Sequence, residues 1–179
     1  MRPAALVHGI VGLATCLCLL GFYAGTDSLG AVNDVGNAVF GVLSLVLAWL
    51  LRADLLFFGL AAIGAVLTVV GTVLVMSETT GFYLAGLVSG LGFALIGGWL
   101  VAVNRRTPPA LRLRRSGLIA GGVMLLGLIG APGIALRIDI METAPWWTFV
   151  AGFSWAGTYL LFPVWSLRLA GQDRSERLG

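Results

Sequence analysis

Few side chains in this sequence are suited to chemistry, and their positions limit what that chemistry is. There is one histidine, His8, so neither a multi-histidine metal site nor a bis-histidine haem can be assembled within the chain. His8 falls about two turns into the first apolar run, where a hydrogen-bonded structural role is expected. Cys16 and Cys18 lie two residues apart in the same run, a spacing that points them to different helix faces. They read as small apolar residues rather than a redox pair. All 11 basic residues are arginine, which removes lysine nucleophiles, Schiff bases and a Walker-type phosphate loop.

A second set is rich in oxygen: Asn33, Asp34, Asn37, Glu78, Asp139 and Glu142. Carboxylates and carbonyls suit a hard cation such as Ca²⁺. They suit helix ends equally, with Asn33 or Asp34 as the N-cap of the second helix. Nothing in the spacing demands convergence, so capping is expected and no metal or cofactor. Pro163 removes the amide that would bond Tyr159, which places a kink beside Trp155, Thr158 and Tyr159. A pocket of Trp155, Tyr159, Thr68, Thr72 and Ser89 is one reading; helix packing with a few interhelical hydrogen bonds is the other. No nucleophile–base pair is visible, so catalysis is not expected.

These residues are carried by a chain made mostly of apolar sequence. Of 179 residues, 59% are apolar and 11% charged, with a mean hydropathy of +0.99. Soluble domains carry about 25% charged residues, so lipid is the expected solvent, and a soluble enzyme or a nucleic-acid-binding module is excluded. Apolar runs cover residues 4–24, 35–51, 55–76, 82–103, 117–136 and 146–167. A spanning helix needs about 17–25 residues, so the expected fold is an all-α, polytopic six-helix membrane bundle in one domain. The second run is the shortest, with room to extend back through residues 30–34. The first run is longer than the apolar region of a secretory signal and lacks an A-x-A site, so a retained helix is expected.

Arginine placement sets the expected orientation. With the amino terminus inside, Arg2, Arg52, Arg105, Arg106, Arg112, Arg114, Arg115, Arg168, Arg174 and Arg177 are cytoplasmic, and Arg137 alone is outside. That bias puts both termini, including a short tail over residues 168–179, in the cytoplasm of an inner (plasma) membrane. Asp54 is expected to pair with Arg52. The stretch 104–116, with five arginines around Pro108 and Pro109, is read as a loop that contacts anionic headgroups.

Gly36, Gly86 and Gly152 each precede a tryptophan by 13 residues: Trp49, Trp99 and Trp165. Each tryptophan is followed by an arginine (Arg52, Arg105, Arg168). Trp–Arg pairs of this kind serve as interfacial anchors. The spacing suggests three tandem helical hairpins, arising either by triplication or by independent acquisition of an interfacial tryptophan. Small-xxx-small spacings occur at Gly21–Gly25, Gly86–Gly90, Gly117–Gly121 and Gly152–Ala156. They fit close packing within the bundle, or association with a second copy or a membrane partner. No ionisable side chain sits near the middle of a span, where proton relays and ion pathways reveal themselves. In general character the chain resembles small multi-pass proteins of bacterial inner membranes. The expected function is a non-catalytic membrane component or accessory subunit acting through helix packing. The alternative is a small transporter or channel for a neutral or lipophilic solute.

Overall fold

A computed structural model describes residues 1–106 and 111–175. Among them every regular element is helical, so the fold is all-α as expected. Helices α1 (Arg2–Tyr23), α2 (Ser28–Leu50), α3 (Leu55–Met76) and α4 (Phe82–Arg106) are unbroken. Helix α5, residues 111–135, is α-helical over Leu111–Met124, tightens to a 3₁₀ segment over Leu125–Gly130 and reopens at Ala131–Ala135. Helix α6, residues 146–175, is the least regular. It is built from Trp146–Gly152, Ser154–Ala156, a π turn over Gly157–Leu161 and Phe162–Ser175. Among the described residues, five helices (α1 to α4 and residues 112–135) are long and apolar enough to cross a membrane. With so many large apolar side chains exposed on the outer faces of α1 and α3, this marks a membrane protein.

The two prolines explain the irregular helices. Pro132 lies in the first turn of Ala131–Ala135, where a missing amide leaves no hydrogen bond unmade. Pro163 follows the π turn directly, the kind of ladder defect a mid-helix proline produces.

Several boundaries differ from the sequence reading. Helix α2 begins at Ser28, so Asn33 and Asp34 lie inside it and neither is its N-cap. Helix α5 begins at Leu111, which puts Arg112, Arg114 and Arg115 on a helix rather than in a loop; arginine is a good helix former. Helix α6 runs on through Ser175, so most of the expected tail is helical. Pro108, Pro109 and Arg177 lie outside the described residues. Asp54 pairs with Arg106 rather than Arg52, because the end of α4 brings Arg106 beside the start of α3, where it also meets the Phe57 ring.

Four helices stop in the same way. Gly25, Arg52, Glu78 and Arg137 adopt φ of 98°, 52°, 54° and 52°. At Arg52, its N–H bonds Trp49 O (2.9 Å) and the next N–H, of Ala53, reaches Ala48 O (3.1 Å). The same double bond closes α1, α3 and α5. This is the Schellman arrangement, which a left-handed residue makes possible.

Packing follows chain order around a ring. Each helix contacts the next, and α6 returns to α1. Helix α4 is the most buried of the spans. Its neighbours approach it at paired glycines. A Cβ on Gly64 would lie 2.5 Å from Gly92 O, and one on Gly92 would lie 2.6 Å from Gly64 O. Gly97 and Gly121 face each other likewise, at 2.9 and 2.6 Å. Gly12 on α1 receives Pro163 and Phe40. Replacing Gly92 with Val should therefore destabilise the bundle by about 1–3 kcal/mol, the usual scale for overpacking. Gly59→Ala, at a site where a Cβ meets nothing within 4 Å, should be neutral or stabilising by up to ~1 kcal/mol. Thermal unfolding of the two variants in detergent checks the contrast.

Candidate functional site

Two ends of the bundle can be told apart by contacts between loops. At one end the Phe22 and Phe82 rings are 5.5 Å apart, and Asp139 accepts from Gly81 N–H (2.7 Å) and Leu84 N–H (3.3 Å). The α1–α2, α3–α4 and α5–α6 loops therefore meet there. At the other end Arg106 pairs with Asp54 and lies 4.5 Å from the Phe57 ring.

At the first end α4, α5 and α6 spread to leave a vestibule of about 390 Å³. Aromatic side chains make its walls, notably Phe82, Tyr83, Phe149 and Trp155, and Tyr23 reaches in from α1. Glycines 86, 90, 127 and 152 also line it. Gly90 is buried, yet a Cβ there would meet nothing within 4 Å. Gly152 is equally open, and Gly86 would touch only Trp155. At Gly86, Gly90 and Gly152 the missing side chains thus help make the space, whereas Gly127 is packed against Gly90 O. Asp139 and Glu142 belong to its lining, and no arginine does. Tyr83 OH donates to Thr148 Oγ1 (2.7 Å), which donates to Pro145 O (2.7 Å), tying α4 to α6 beside the vestibule.

A much smaller space, of about 20 Å³, adjoins the vestibule and shares Phe82, Gly86 and Trp155 with it. That volume admits about one water molecule. Its lining brings together Asn33, Asp34, Asn37, Ser89, Trp155 and Tyr159. Tyr159 OH donates to Asn37 Oδ1 (2.7 Å), Asn37 Nδ2 to Asn33 Oδ1 (3.3 Å), and Asn33 Nδ2 to Thr15 O (3.0 Å). The chain of bonds crosses α6, α2 and α1. Of the pocket read from the sequence, Trp155, Tyr159 and Ser89 meet here. Thr68 instead donates to Ala65 O and Thr72 to Asp34 O, so both are structural.

The oxygen-rich set therefore divides. Asn33, Asp34 and Asn37 share the small space, Asp139 and Glu142 line the vestibule, and Glu78 ends α3 as an exposed left-handed residue. Among the described residues no group of three His, Cys, Asp or Glu could hold a metal ion. Cys16 and Cys18 are free thiols.

His8 is fully buried between the Phe40 and Phe162 rings, at 4.2 and 4.4 Å. Nε2 lies 3.0 Å from Ser44 Oγ and Nδ1 lies 2.8 Å from Ser166 Oγ. A neutral imidazole has one donor and one acceptor nitrogen. Each serine can also donate to the carbonyl four residues back, at 2.8 Å for Ser44 and 3.1 Å for Ser166. The hydroxyls can therefore satisfy either tautomer. None of the cavities described here reaches this group.

The interfacial anchors need correction. Trp49 is 74% exposed and Arg52, Arg105 and Arg168 reach the surface, but Trp99 and Trp165 are buried at 0% and 2%. Their rings meet at 88° with centroids 6.4 Å apart, and Trp165 Nε1 donates to Asn104 Oδ1 (3.2 Å). The shared 13-residue spacing fixes depth along each helix and not its rotation, so only Trp49 faces outward. Sequence reasoning missed Gly90, Tyr83 and Thr148 as site residues. The Gly86–Gly90 spacing was a signal, but it does not say which glycines lack a neighbour.

No family model, curated protein or solved structure matches this chain. The polar network offers a direct check. Tyr159→Phe strips the donor from a buried Asn37 oxygen and should lower stability by about 1–3 kcal/mol, read as a drop in thermal midpoint in detergent.

Proposed function

We propose that this chain is a multi-pass integral protein of a bacterial inner membrane with both termini in the cytoplasm. It is a non-catalytic component that holds a small, largely apolar molecule in the α4–α5–α6 vestibule. The observation that carries this reading is Gly90: a buried residue on the central helix whose side-chain direction is empty. Interiors are normally packed to crystal-like density, so a space of about 390 Å³ bordered by four glycines is a feature with a use. It falls within the usual range of ligand pockets, about 300–1,000 Å³.

Other readings find less support. A transporter or channel for a lipophilic solute needs a route past Phe40, Phe93, Trp99 and Phe162, which fill the bundle beyond the vestibule. An enzyme would use His8 with Ser44 or Ser166, yet all three are fully buried and among the described residues no carboxylate orients the imidazole. Association through small-residue motifs is weakened because Gly21, Gly117 and Gly121 already meet Leu29, Asn104 and Gly97 of the same chain.

Two measurements test the proposal. Purified protein should enhance the fluorescence of the neutral probe N-phenyl-1-naphthylamine beyond what detergent alone gives. Gly90→Leu should fill the vestibule and weaken that binding by about tenfold or more, a change of ~1.4 kcal/mol, while keeping the thermal midpoint. An unchanged signal in the variant would sink the reading. For orientation, a cysteine in place of Glu142 should react with an impermeant maleimide on intact cells and one in place of Arg105 should not; the reverse pattern inverts the topology.

A further inference from the structure

The opposite end of the bundle holds a second site of different chemistry. Trp99 is fully buried and its indole N–H has no hydrogen-bond partner. Among the described residues, the one other buried side-chain polar atom in that state is Thr80 Oγ1. Such groups are rare because an unmade bond to a buried donor is unfavourable. Trp99 also lines a cavity of about 140 Å³, together with Arg52, Asp54, Phe57 and Arg106. Arg106 is occupied by Asp54 and by the Phe57 ring. Arg52, held in a left-handed backbone conformation by the turn after α2, has no side-chain partner among the described residues.

The charged groups of the lining are two guanidiniums and one carboxylate, a net charge of one positive unit, and Trp99, with its unpaired N–H, forms part of the wall. Guanidinium and indole groups donate and cannot accept. The complementary ligand is an acceptor with negative charge, and phosphate meets that description. Arg52 and Ala53 also line an adjoining open groove walled by Trp49, Leu50, Leu55 and Phe58. Of these apolar side chains Trp49, Leu50 and Leu55 are exposed, Leu55 at 86%, and Phe58 is half-buried. A charged recess that opens onto an apolar surface groove has the shape of a phospholipid's two parts.

We propose that this recess binds the phosphate of an anionic phospholipid through Arg52 and the Trp99 N–H, with the acyl chains along the Trp49–Phe58 groove. The net charge of the recess matches a headgroup carrying one negative charge. A zwitterionic headgroup would bring its ammonium against Arg52 and Arg106. The inference rests on the chain lying in a membrane, which cysteine labelling tests separately, and not on what occupies the vestibule.

Native mass spectrometry of the full chain in detergent, titrated with dioctanoyl phosphatidylglycerol, tests it. Dioctanoyl phosphatidylcholine should bind at least about tenfold more weakly, and Trp99→Phe and Arg52→Asn should each weaken the phosphatidylglycerol complex by about tenfold. Phenylalanine keeps the packing without the N–H, and asparagine tolerates the left-handed turn. Arg105→Gln, at an exposed position outside the recess, should change nothing. Equal binding of the two lipids would overturn the proposal. So would an unchanged Trp99→Phe complex, which would mean that the N–H serves only the neighbouring Trp165 ring. An equal loss in Arg105→Gln would point to diffuse charge instead of a site. Competition by inorganic phosphate at the same concentration as the lipid would replace the lipid with a free phosphate ligand. Should Trp99→Phe fail to fold by thermal unfolding, the surface variant Arg52→Asn decides the matter alone.

Discussion

Close approach of backbones at glycine is the constraint on which the rest of the structure depends. Within lipid, apolar side chains gain little by leaving apolar solvent for an apolar neighbour, so helices associate through dispersion contacts and interhelical hydrogen bonds. Helix α4 takes a central place because Gly92 meets Gly64 on α3 and Gly97 meets Gly121 on α5, each pair facing the other's carbonyl. Gly127 completes the α5 contact against Gly90 O. With α4 fixed, Phe40, Phe93, Phe162, Trp99 and Trp165 can form one aromatic cluster across α2, α4 and α6. The polar ties follow from that placement. Asn104 lies against Gly117 and accepts from Trp165, which is possible only where α5 and α6 both come close to α4.

The same residue type makes both the packed core and the vestibule. Gly90 shows how: its carbonyl supports Gly127, while its side-chain direction opens into the cavity. One face of one residue joins α4 to α5 and another borders the open space. The irregular elements gather around this place. The 3₁₀ segment of α5 includes Gly127, the break in α6 directly follows Gly152, and the π turn beyond it includes Tyr159. Tight and loose turns shift the register of the helix beyond them; past the π turn α6 packs on α1 along Phe162–Ser175, while its first turns line the cavity.

How much of this was legible in the sequence depends on the force involved. Six apolar runs and the all-α class followed from length and composition, since spanning length is a property of the chain itself. Helix ends were less legible. Three of the four left-handed turns use Arg52, Glu78 and Arg137 rather than glycine, and only the hydrogen bonds of the folded helix reveal them. Rotation about the helix axis was least legible of all. Trp49, Trp99 and Trp165 share a spacing from glycine and an arginine after it, yet one faces outward and two are core. A 13-residue interval sets their depth, and neighbouring helices then decide the face. The pocket read around Trp155, Tyr159 and Ser89 came close because a proline-induced kink is a local event. Its connection to Asn33 and Asn37 required knowing that the Tyr159 side chain reaches across from α6 to α2.

The two buried tryptophans make the contrast that gives the Arg106 end of the bundle its meaning. Trp165 spends its N–H on Asn104, an amide on α4 that is itself anchored to Leu100 O. The fold is therefore able to supply a partner for an indole at this depth. Trp99 stands beside it, equally buried, and has none. Phenylalanine would keep a similar aromatic contact with Phe162 and Trp165 without leaving a donor unpaired, and donor burial without a partner is a net loss of stability. A ligand that accepts a hydrogen bond from the indole at position 99 would remove that loss. The recess it lines is the one place where such an acceptor would also find Arg52 unoccupied. Packing and electrostatics thus point to the same cavity, for reasons independent of the glycines that open the vestibule at the other end.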